Sequence, residues 1–199
     1  MKRGLVGVET DRFEALVDAI LAIIITLIIL EIPLPSSPTF EGLAHLYIEF
    51  FAYLISFLVI YNIWNSHHNL FNLIHKLHNS TVWMSGISLL IIGFLPYCTS
   101  MVSKHFYSFF AQACFGSLFI LSHIHYIIQA KLLMKNEPGN IALIVYLQNG
   151  VKYSYIELII FAIIYILGYF LYPPIIMFGC LFAMLFWIFH DQILHLIRI

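Results

Sequence analysis

Long apolar runs separated by short polar or proline-bearing stretches make up nearly the whole chain. They predict six helices, over residues 13–32, 45–66, 81–102, 106–128, 153–172 and 175–194, because about 20 helical residues rising about 1.5 Å each cross a hydrocarbon layer roughly 30 Å thick. Breakers fall between them. Pro33, Pro35 and Pro38 stop the first helix, Lys104-His105 makes a short turn, Leu132 to Asn140 interrupts the fourth pattern, and Pro173-Pro174 forms the last turn. Ile141 to Gly150 reads as a moderately apolar connector, and Leu95-Pro96-Tyr97 as a kink within the third span. The fold class is therefore all-α, a polytopic membrane protein whose residues 1–199 form one six-helix domain.

The first run has two polar interior positions, Asp18 and Thr26. A carboxylate at the centre of a membrane helix costs roughly 2.5–3.5 kcal/mol, less near the interface, so Asp18 needs compensation. A threonine hydroxyl is cheaper, because it bonds back to a carbonyl one turn earlier or faces a polar lumen. Ile23 and Leu30 nearly eclipse one another on a helical wheel, with Thr26 and Leu27 flanking the line. Asp18 lies about 140° from Ile23, so the stripe and the carboxylate face different surroundings. Arg12 and Asp18 are about 120° apart, which disfavours a pair within the helix and favours contacts between helices or subunits.

Composition fits a membrane protein: 62% of residues are hydrophobic, 10% are charged, and mean hydropathy is +0.95. Charge distribution sets orientation. If the spans alternate, both termini and the even-numbered turns hold Lys2, Arg3, Arg12, Lys76, Lys131, Lys135, Lys152 and Arg198, and Lys104 stands alone opposite them. Both termini are then cytoplasmic. Cys98, Cys114 and Cys180 have no paired spacing, and none of the histidines forms a two-ligand motif, so neither a disulfide framework nor a metal site is expected. No nucleophile–base spacing suggests an enzyme. Glu157, about one turn inside the fifth span, reads as snorkelling to the interface or pairing with Lys152, and Asp191 with His195 as a pair on a solvated helix end.

Three stretches in order, R-x-x-x-x-x-D-A-I-x-x-I-x-x-T-L from Arg12, W-x-x-H-H from Trp64, and L-P-Y-x-T from Leu95, resemble the transmembrane protein 175 family of potassium channels. Arg12 and Asp18 stand in register with that family's R-x-x-x-F-S-D, while Leu16 and Val17 replace its Phe and Ser. The resemblance implies that copies of the first helix surround an ion path in a homotetramer. Ile23 would form the narrow constriction, Thr26 a polar layer contributing modest potassium-over-sodium selectivity, and Leu30 and Leu27 further apolar lining. It also implies a structural network in which Asp18 accepts from Trp64 and His67, with Arg12 nearby.

The expected function is passive conduction of potassium and other monovalent cations through the cell membrane by a multi-pass protein, with no cofactor, no resident metal and no nucleic-acid partner. The alternative is a proton-coupled carrier or proton-permeable channel using Asp18 and His67, since histidine titrates near neutrality.

Overall fold

The computed structural model describes residues 10–197, and the side chains through residue 187. Lys2, Arg3, Arg198 and the Asp191–His195 pair lie outside what is described. The described residues form helices α1 (Thr10–Leu30), α2 (Phe40–Ala44), α3 (Tyr47–Leu73), α4 (Asn79–Gly93), α5 (Leu95–Lys104), α6 (Phe109–Asn136), α7 (Ile141–Phe170) and α8 (Ile175–Ile197), with no strand. Five stretches are long and apolar enough to cross a bilayer: α1, α3, α4 continued by α5, α6 and α7. Within α8 the described apolar stretch is Ile175–Trp187.

Local chemistry explains the boundaries. Thr39 Oγ1 accepts the Gly42 N–H at 3.1 Å and starts α2 inside what the sequence suggested was plain loop. Pro96 falls in the first turn of α5, where its missing N–H is tolerated, and the chain bends at Phe94 between α4 and α5. The largest departure from the sequence expectation is residues 141–150. They are not a connector but the first turns of α7. Asn140 caps this helix by accepting the Leu143 N–H at 3.1 Å, and no breaker follows before Phe170.

Helices α3 and α6 occupy the middle of the bundle. α3 packs on α1, α5 and α8, while α6 packs on α4, α5, α7 and α8. Close approaches depend on glycine at two places on the α6–α7 side. A Cβ at Gly116 would meet Ile176 Cγ2 at 2.6 Å, and one at Gly150 would run into the Tyr126 ring. Polar contacts then fix helix orientation. Thr99 Oγ1 donates to the Leu95 carbonyl at 2.7 Å, so its single proton is used and Ser56 Oγ, 2.7 Å away, must donate to it. This pins α3 to α5 just past the bend.

A second tie joins the α6–α7 turn to the α3–α4 turn. The buried Glu137 carboxylate accepts from the backbone N–H of His75 and of Lys76, each at 3.2 Å, and from Asn140 Nδ2 at 2.8 Å. Asn140 Nδ2 also reaches the Leu73 carbonyl at 2.7 Å. Burial pushes the Glu137 carboxyl up from its ordinary value of 4.5, but the Asn140 amide, the two backbone donors and the His75 ring outweigh it, so the group is held below that value.

A depressed carboxyl stabilises the fold above its unfolded value and loses that contribution as pH falls through the folded one. Glu137→Gln should therefore lower stability at neutral pH by about 1.5–3 kcal/mol, the range for hydrogen bonds to a charged group. The gap between variant and parent should close on acidification below about pH 4. Unfolding of the detergent-solubilised protein at the two pH values checks this; an equal gap at both would remove the carboxylate from the account.

Candidate functional site

Helix α1 divides into two faces. Phe13, Val17, Leu21, Ile24 and Ile28 recur at spacings of three and four and are all buried in the bundle. The opposite face is bare: Ile23 is 58% exposed, Leu27 48% and Leu30 78%, with Leu16 and Thr26 also exposed. These are the residues expected to form a stripe, and a single chain leaves the whole stripe without a partner. The Thr26 hydroxyl donates to the Ile23 carbonyl at 2.8 Å, so its proton is committed to the helix and its oxygen lone pairs are presented outward.

The expected network is rearranged. Arg12 and Asp18 are both exposed, and among the described residues neither makes a hydrogen bond or ion pair. Asp18 makes no hydrogen bond to Trp64 or His67, although its carboxylate acts electrostatically on the buried His67 ring. His67 is buried, holds its Nδ1 3.0 Å from the Ile63 carbonyl, and stacks on Phe71, which in turn meets Phe13 of α1 edge-on at 5.7 Å. The link from α1 to α3 uses Glu14 instead, a residue the sequence pattern did not single out. Its Oε1 lies 3.0 Å from His68 Nδ1, the His68 ring stacks on Trp64 at 5.6 Å, and Asn72 Nδ2 lies 3.1 Å from His68 Nε2. Glu14 lies four residues before Asp18, and His68 one residue after His67.

Away from α1, a cavity of about 120 Å³ lies among α3, α4, α6, α7 and α8. Glu157 of α7 faces it. This residue neither snorkels nor meets Lys152: it is 2% exposed, and its Oε2 lies 2.6 Å from Nε2 of His123 on α6. The carboxylate is off-line for a hydrogen bond to that ring, so both of its oxygens lack a hydrogen-bond partner among the described residues. One turn before Glu157, Ser154 places its Oγ 3.5 Å from the other ring nitrogen, Nδ1. His125, without an evident partner in the sequence, lies with its Nε2 2.8 Å from the Met84 carbonyl and links α6 to α4. No cluster of three metal-ligating side chains occurs among the described residues.

Residues 12–96 match the family model described as endosomal/lysosomal potassium channel TMEM175. A protein named as a potassium channel from Chryseobacterium sp. (strain P1-3) is 30% identical over 181 residues, covering 91% of this chain and 93% of that one. Another so named, from Chamaesiphon minutus (strain ATCC 27169 / PCC 6605), is 32% identical over 103 residues, about half of each chain. The crystal structure of a lysosomal potassium-selective channel TMEM175 homolog from Chamaesiphon minutus superposes with a TM-score of 0.71, covering 91% of this chain and 97% of that one at 22% identity.

The Glu14–His68 contact is testable apart from any transport. It is partly exposed, so a double-mutant cycle with Glu14→Gln and His68→Gln should give a coupling of about 0.2–1 kcal/mol in unfolding, smaller at high salt. Additive losses would show that α1 is held by its apolar face alone.

Proposed function

The chain belongs to the TMEM175 potassium channel family, and from that premise we propose that it is a potassium-permeable cation channel whose pore is lined by α1. The observation that supports this reading most is the unpartnered apolar stripe of α1, backed by a face fully packed into the bundle. A helix held in that way offers the stripe to lipid or to other copies of itself. Four copies around an axis would bring Ile23 into a ring, with Leu27 and Leu30 as further apolar lining and Thr26 oxygens between them.

Such a ring works by dewetting. A constriction of branched alkyl groups too narrow for liquid water imposes a desolvation barrier on an ion, and opening means widening it. The threonine oxygens replace part of the hydration shell, fewer of them than a carbonyl cage supplies, so potassium is preferred over sodium only modestly. Arg12 lies within about 20° of the Ile23 line and Asp18 about 140° from it. Neither has a hydrogen-bond or ion-pair partner among the described residues, and in the assembly they pair across the subunit boundary, where the carboxylate neutralises the guanidinium. In this reading α8 completes six crossings of the cell membrane, both termini are cytoplasmic, and conduction is passive. The carrier alternative has less behind it, because Asp18 and His67 share no hydrogen bond and His67 Nδ1 is engaged by the Ile63 carbonyl.

Potassium flux from proteoliposomes tests the proposal, with sodium and proton gradients as controls. Ile23→Asn should raise flux about tenfold, equivalent to a barrier lowered by about 1.4 kcal/mol. Thr26→Val should reduce the preference for potassium over sodium. Flux indifferent to both substitutions but driven by the proton gradient would replace the channel with the carrier.

A further inference from the structure

The cavity facing Glu157 raises a question that the pore does not answer: what balances its charge? Among the described residues, the titratable groups facing the cavity are His67 from α3, His123, His125 and Tyr126 from α6, and Glu157 from α7; the described parts of α4, α5 and α8 contribute none, and no described lysine or arginine lines it. Nearby Phe119 and Phe161 wall the pair, Phe161 fully buried and 6.1 Å from the His123 ring. An ionised carboxylate in such surroundings is costly unless a positive partner stands beside it. The only candidates here are imidazoles, and an imidazole is positive only when it has bound a proton.

We propose that the His123–Glu157 pair is a proton-binding site, built into the bundle of each subunit away from α1, that takes up and releases one proton through water in the adjoining cavity. The geometry suits both states. In the loaded site the proton is on the Glu157 carboxyl, whose Oε2 stands 2.6 Å from His123 Nε2, and carboxyl and ring are both neutral. In the unloaded site the carboxylate is ionised and the ring neutral. Ser154 serves either, because its hydroxyl donates to an unprotonated Nδ1 and accepts from Nδ1–H. Uptake takes a proton from hydronium and leaves water; release returns it. A volume of about 120 Å³ holds a few water molecules at about 30 Å³ each, and those waters supply the hydrogen bonds that Glu157 lacks within the protein. His123, with 13% of its side chain exposed against 2% for Glu157, is the member nearer to that supply.

The site does not depend on the channel reading, and its test needs no transport. Infrared difference spectra of the full chain in lipid, recorded while pH is lowered in steps, should show a carboxylic acid carbonyl band that appears on acidification and shifts in heavy water. Glu157→Gln should abolish the band, and His123→Gln should change the pH dependence of its appearance. The nitrogen-15 shifts of His123 in uniformly labelled parent protein should move over the same interval, a readout that stands even if a variant fails to fold. A band that survives Glu157→Gln, or His123 shifts that stay constant with pH, would overturn the proposal and leave a permanent structural pair.

Discussion

Hydrocarbon offers no hydrogen bonds, and that constraint organises this molecule. Each polar group inside the bundle must find its partner within the protein or in enclosed water. Apolar helix faces in lipid have little preference for one another over lipid tails, so the polar contacts fix which face meets which. Ser56 with Thr99 sets α3 against α5, His125 with the Met84 carbonyl sets α6 against α4, and Tyr165 with the Ala113 carbonyl sets α7 against α6. Glycines at the α6–α7 seam let these helices approach closely enough for the bonds to form.

What the sequence made legible follows from the range of each signal. Apolar length and period 3.6 are local, so the helical class, the bend near Pro96 and the stripe through Ile23, Thr26, Leu27 and Leu30 could be read directly. Residues 141–150 were misjudged because their mixed polarity resembles a connector. The deciding contact, Asn140 capping Leu143 while also bridging to Leu73, joins residues far apart in sequence. Pairings between helices were the least legible. Motif spacing pointed to Asp18 with Trp64 and His67, whereas the rotation of α1 against α3 brings Glu14 to His68. His123 and Glu157 each looked incidental, and only the packing of α6 on α7 reveals them as a pair.

The two faces of α1 separate two requirements. One face is a conventional core seam, from Phe13 to Ile28, and it fixes the helix within its own subunit. The other has no partner in the subunit and is free to meet the needs of assembly. Thr26 illustrates the economy: by bonding to its own backbone it removes its proton from competition and leaves oxygen on an otherwise alkyl surface.

The Glu137 tie gives the bundle a mechanical character. It fastens the α3–α4 and α6–α7 hairpins to each other at their turns, so relative tilting of the hairpins pivots there. α3 has 27 residues and is about 40 Å long, and a tilt of about 5° about such a fulcrum displaces its far end by about 3 Å. α1 rides on α3 through the Glu14–His68 contact and the Phe13–Phe71 edge. A small rotation at one end of the molecule thus becomes a displacement as wide as a methyl group at the other.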